Sequence, residues 1–145
     1  MADHSQRWVL NHLIEMCRDE ELALRHAAGH VQDPSAKTLL VELASQRAKF
    51  AADLLPYAQR LGGAEPADGT TRGALLRRWM AVRDALIGHS DRRAIAEAEH
   101  FEDVTLGTYE EALNDMLPPT ARDVIERQSS EIRLTHDRVR TLLPH

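Results

Sequence analysis

Residues 33–63, DPSAKTLLVELASQRAKFAADLLPYAQRLGG, decide the fold. Asp33 can cap a helix, and Pro34 suits its first position, where no amide hydrogen is needed. Apolar residues then recur at Ala36, Leu40, Leu43, Phe50, Leu54, Tyr57 and Leu61. That three-and-four spacing predicts a helix from Pro34 to Leu61 with one buried face. Pro56 predicts a kink near its end, and Gly62-Gly63 stops it. One position breaks the stripe: between Leu43 and Phe50 the seam falls on Arg47.

The same reading extends in both directions. Upstream, Leu10, Leu13, Cys17, Leu24, Ala27 and Val31 predict a first helix from about Ser5 to Gln32. Downstream, residues 64–69 read as a loop, and Leu75, Trp79, Val82 and Leu86 predict a shorter helix from about Thr71 to Ile87. Gly88 ends it, and Ser90 or Asp91 caps the next. A third long helix is expected from about Asp91 to Met116, with Ile95, Ala98, Leu106, Tyr109 and Leu113 inward. Pro118-Pro119 breaks it and starts a fourth, carrying Ile125, Ile132, Val139 and Leu142 and ending before Pro144.

Four helices of about 25 residues are each roughly 37 Å long, the dimensions of a four-helix bundle. The first and last links are short enough to force antiparallel hairpins, while the link over residues 62–90 can run the length of a bundle. Two hairpins joined by one long crossover is the connectivity of ferritin-like folds. The expected architecture is therefore all-α: one ferritin-like four-helix-bundle domain over residues 1–145, with an additional short helix in the crossover.

Composition agrees. The chain has 145 residues, 43% hydrophobic and 28% charged, enough for one buried core. A net charge of −5 argues against a general nucleic-acid binder. No apolar run approaches the roughly 20 residues of a membrane span, and the N-terminus lacks a signal-peptide layout. The single Cys17 excludes an internal disulfide and fits a reducing compartment, so a cytoplasmic protein is expected.

The residues that interrupt the apolar stripes carry the functional information. They are Glu20 between Cys17 and Leu24, Arg47, Glu102 between Ala98 and Leu106, and Gln128 between Ile125 and Ile132, with Glu131 on the next ridge. With helix midpoints near residues 19, 48, 104 and 131, Glu20, Arg47 and Glu102 lie within about 3 Å of one central layer at 1.5 Å per residue. A lone buried charge is costly, so such groups pair, bind an ion, or both.

The run Leu40-Val-Glu-Leu-Ala-Ser-Gln-Arg-Ala-Lys-Phe-Ala-Ala-Asp-Leu54 resembles a bacterial ferritin-like four-helix-bundle family of unknown function. So do Leu61-Gly-Gly, Gly73…Arg78-Trp79, Glu102-Asp103…Tyr109-Glu-Glu-Ala-Leu113 and His136-Asp137. The likeness spans Leu10 to Leu143. In di-iron members of the superfamily two helices each give a Glu and two each give Glu-x-x-His. By position the resemblance implies Glu20 and Glu102 as single ligands. The matching run on helix two is Arg47-Ala-Lys-Phe50, and helix four offers Gln128-Ser-Ser-Glu131 or Arg133-Leu-Thr-His136. At least three of the six implied ligands are absent.

Two readings follow. In one, Glu20, Arg47 and Glu102 form a buried ion network replacing the di-iron layer, in a non-catalytic binding or assembly module with no cofactor. In the other, Glu20, Glu102, Glu131 and His136 hold iron or zinc at a reduced metal-binding or oxidoreductase site. Arg47 favours the first.

His26 and His30 share a helix face but lack an acid to complete a metal clip, and His100 beside Glu97, Glu99 and Asp103 reads as helix surface. Asp19, Glu21, Glu110 and Glu111 also read as surface. Leu76, Met80 and Ile87 form a second apolar row on the crossover helix, which predicts a homodimer or higher homo-oligomer. No phosphate loop, nucleophile elbow or Ser/His/Asp set is present, so the reading leans away from an enzyme and gives no substrate class.

Overall fold

The computed structural model describes residues 2–62 and 91–141. They form four α-helices: α1 (Ala2–Ala28), α2 (Pro34–Arg60), α3 (Asp91–Leu113) and α4 (Pro119–Thr141). No strand occurs among the described residues. The expected crossover helix, with Leu76, Met80 and Ile87, lies outside them, as do Leu142 and Pro144.

The Asp33-Pro34 start is built as its chemistry requires. The Asp33 carboxylate accepts the Ala36 amide at 2.9 Å, and Pro34 occupies the first turn. The helix continues through Pro56 to Arg60. It closes with the Leu61 and Gly62 amides donating to the Ala58 and Gln59 carbonyls. Gly62 has φ 101°, where a side chain is strained, and an added Cβ would meet Arg7 Nη1 at 3.2 Å.

Two helices end earlier than their apolar stripes suggest. α1 stops at Ala28 rather than Gln32, because the poor helix former Gly29 follows and the His30 amide turns back to the Ala27 carbonyl. α3 stops at Leu113 rather than Met116, where the Asn114 and Asp115 amides tighten onto the Glu111 and Ala112 carbonyls.

The helices pack in a ring: α1 against α2, α2 against α4, α4 against α3, and α3 against α1. Arg7 of α1 lies beside Gly62, so α2 leaves next to the start of α1. At the other end, the Asp91 carboxylate accepts the Gln32 amide at 3.0 and 3.1 Å and the Asp33 amide as well. This ties the start of α3 to the α1–α2 turn. α2 and α3 therefore run in the same direction, so α2 ends and α3 begins at opposite ends of the ring.

The apolar residues fall into two clusters. One gathers Leu10, Leu13, Cys17, Phe50, Leu54, Tyr109, Ile125 and Ile132; the other gathers Leu24, Val31, Leu40, Leu43, Ile95, Ala98 and Val139. Between them, at mid-helix, the buried residues are polar: Glu20, Arg47, Glu102 and Thr105.

Asp33 alone supplies the cap of α2, so Asp33→Ala should cost about 0.5–2 kcal/mol in urea unfolding. A change below the error of the melts would show that the cap contributes nothing.

Candidate functional site

Arg47 sits at the seam position of α2 and is 1% exposed, the largest fully buried side chain among the described residues. Nothing apolar can satisfy a guanidinium, so each of its three nitrogens finds an oxygen. Nε donates to Glu20 Oε1 of α1 at 2.8 Å. Nη2 donates to Glu102 Oε1 of α3, and Nη1 to Gln46 Oε1. The Phe50 ring, one turn along α2, lies 5.9 Å from Cζ.

Threonines complete the two carboxylates. The Thr105 hydroxyl meets Glu20 Oε2, and the Thr135 hydroxyl of α4 donates to Glu102 Oε2 at 2.8 Å. Every helix thus contributes to one layer, and all four carboxylate oxygens have partners. Both hydroxyls also lie within reach of their own helix carbonyls, Thr105 with Phe101 at 2.8 Å and Thr135 with Ile132 at 3.0 Å.

Two acids share one cation, and their surroundings decide which adapts. Burial raises the Glu20 carboxyl above its ordinary value, more than Arg47 and Thr105 lower it. Burial works the other way on Arg47, but Glu20 and Glu102 outweigh it and push the guanidinium up. The cation is permanent, and burial works against the charge on Glu20.

A neutral polar chain runs beside this layer. The Tyr109 hydroxyl donates to Gln128 Oε1 at 2.7 Å, and Gln128 Nε2 donates to the Phe50 carbonyl at 3.2 Å. With the phenol proton so used, the Cys17 thiol donates to the Tyr109 oxygen, 3.4 Å away. Burial, then Glu20, pushes the thiol up to about 12, so it stays protonated and is no nucleophile at neutral pH. Burial also holds the Tyr109 phenol well above its ordinary range.

The four residues considered as metal ligands from sequence do not converge. Glu20 and Glu102 face each other across Arg47, Glu131 is exposed, and His136 lies outside the layer with Nε2 2.6 Å from Asp103 Oδ1. Gln128 and Ile132 take the inward face of α4 around Glu131. This donor set does not fit a di-iron group: a fixed cation stands between the two acids, and the position three residues beyond it is Phe50.

Thr105 and Thr135 were not singled out from sequence. The signal was present, since Glu102-Thr105-Tyr109 and Ile132-Thr135-Val139 continue the seams by threes and fours. On α3 the seam takes Thr105, leaving Leu106 half-buried. Asp19 is buried rather than surface, and so is Glu15, because α1 is covered over most of its circumference from Val9 to Glu20. His26 and His30 are exposed, and His30 Nδ1 lies 2.8 Å from the His26 carbonyl of its own helix.

Residues 7–115 match the profile of a family described as a domain of unknown function, DUF2383. No curated protein matches the chain. Among the described residues no helix is long and apolar enough to cross a membrane.

Removing the cation alone strands two acids, so Arg47→Ala should cost about 3–5 kcal/mol in urea melts. Replacing Glu20, Arg47 and Glu102 together by methionine should cost far less. Unchanged stability of Arg47→Ala would refute the ion layer.

Glu20→Gln should stay within about 1 kcal/mol of wild type. Its amide can accept from Arg47 and donate to Thr105, which keeps its bond to Phe101. Because folding raises the Glu20 pKa, the folded state holds a proton that the unfolded state has released just above the ordinary carboxylate range. Wild type should therefore gain stability relative to Glu20→Gln as pH falls through that window. Parallel pH profiles for the two proteins would contradict the shift.

Proposed function

The chain belongs to the DUF2383 family, and from that premise we propose a non-catalytic ferritin-like bundle, a binding or assembly module whose central layer is an ion network in place of a metal pair. The observation that carries this reading is the guanidinium of Arg47 forked between Glu20 and Glu102 at the middle of four helices. A guanidinium keeps its charge at any physiological pH, and its planar fork matches carboxylates. It supplies the positive charge that two buried acids require.

The connectivity supports the ferritin-like part. Two antiparallel hairpins are joined across opposite ends of the ring, which is the one-crossover arrangement of that superfamily. The neutral state of Cys17 and Tyr109 supports the non-catalytic part, because neither offers a nucleophile or base at the centre. On this reading the chain is one cytoplasmic domain without a resident cofactor. Self-association through Leu76, Met80 and Ile87 remains part of the proposal on sequence grounds.

The test is iron loading of tag-free protein with ferrous iron followed by oxygen. The expected outcome is no ferric-oxo absorbance and no catalysed iron oxidation. An iron pair in each chain that disappears in Glu20→Gln and Glu102→Gln would overturn the proposal.

A further inference from the structure

We infer that Glu99, Asp103 and His136 form a site for one borderline divalent cation, of the zinc type, bridging α3 and α4 on the outer side of the ion layer. Glu99 and Asp103 are four residues apart on α3, so their side chains share one face a turn apart. The hydrogen bond from Thr135 to Glu102 sets the register between the two helices, and the next residue on each strip, His136 and Asp103, meet outside it. One donor atom from each of the three side chains lies within 4.8 Å of the other two.

The imidazole is the feature that asks for an ion. Its Nε2 is closed off from solvent and makes no hydrogen bond, although Asp103 Oδ1 is 2.6 Å away. The contact has the distance of an ion pair without the direction of a hydrogen bond. A ring nitrogen set beside two carboxylates is suited to a cation shared among them. A metal binds through the nitrogen lone pair, and the two carboxylates balance its double charge.

The remaining surroundings suit the same role. The His136 side chain is 13% exposed while that of Asp103 is 59% exposed, so the site is walled on the inside and open to entry and to a water ligand outside. Asp137 Oδ1 lies 3.9 Å from His136 Nδ1, within reach of a bridging water that would orient the ring. Arg140 Nε, a cationic neighbour, stands 3.9 Å from Glu99 Oε1. Bonds of about 2.1 Å at tetrahedral angles place donors roughly 3.4 Å apart, which these side chains reach by small rotations.

The donor set names the class of ion. One imidazole with carboxylates suits zinc, iron or nickel, whereas calcium and magnesium take oxygen alone. Bound there, the ion would clamp α3 to α4 without touching Arg47, so this site stands apart from the central layer.

The experiment is zinc titration by calorimetry on metal-stripped, tag-free full chain, with calcium in parallel. One equivalent of zinc should bind, and His136→Gln, Asp103→Asn and Glu99→Gln should each weaken it at least about tenfold. His26→Gln and His30→Gln should leave it unchanged. Absence of zinc binding, binding indifferent to the three ligand variants, loss through His26→Gln or His30→Gln, or equal affinity for calcium would each overturn the site. Should His136→Gln lose its helical circular dichroism, the two carboxylate variants decide, since their side chains lie at the surface or half-buried.

Discussion

The guanidinium of Arg47 is a permanent charge buried away from solvent, and that constraint orders the middle of the molecule. A charge there must be met from several directions at once, because no single carboxylate satisfies three donor nitrogens. Glu20 and Glu102 meet it from α1 and α3, and Gln46 from its own helix. Thr105 and Thr135 then hold the far oxygens of the acids, which brings in α4. A slip of α2 by one turn, about 5.4 Å, would carry the cation into one of the apolar clusters and leave both acids behind. Hydrophobic packing alone tolerates such slips better, since one leucine replaces another. The layer therefore adds register to a core whose stability comes from the clusters above and below it.

Side by side, the two buried polar systems handle the same problem differently. Around Arg47 the groups are charged, and burial favours a proton on Glu20. In the Cys17–Tyr109–Gln128 chain the groups are neutral, and burial keeps them so. Each donor has one acceptor in line, ending on the Phe50 carbonyl, whose second lone pair is free of the helix ladder. The direction of the chain follows from Gln128, the only member with both a donor and an acceptor group fixed by its amide.

Much of this was legible in the sequence, for physical reasons that also explain what was not. Helix seams show because burial demands a periodic stripe, and Arg47 shows because a permanent charge cannot hide in one. Thr105 and Thr135 do not show, because a threonine on a helix ordinarily spends its hydroxyl on the preceding turn, whereas here its single proton has an acid within reach as well as its own helix carbonyl. Glu131 has the right height but is rotated out of the seam: a height argument uses rise alone, while three residues at 100° each leave it about 60° around the helix from Gln128. The burial of Asp19 and Glu15 depends on what covers α1 from outside its own seam, which no periodicity in α1 records.

The placement of His136 follows from the same rotation. On α3, Glu102 points inward and its neighbour Asp103 outward; on α4, Thr135 and His136 divide the same way. One helix contact thus presents two environments a single residue apart. Inside, where the side chains are shielded from solvent, the acid is held by a cation that belongs to the chain. Outside, where carboxylates are half in water, a cation from solution can enter and leave without unfolding anything. A mobile ion in the centre would have to displace a covalently tethered guanidinium and desolvate fully, whereas at the margin it loses only part of its hydration. On the reading proposed for Glu99, Asp103 and His136, the α3–α4 margin is therefore an easier place for a cation from solution than the centre.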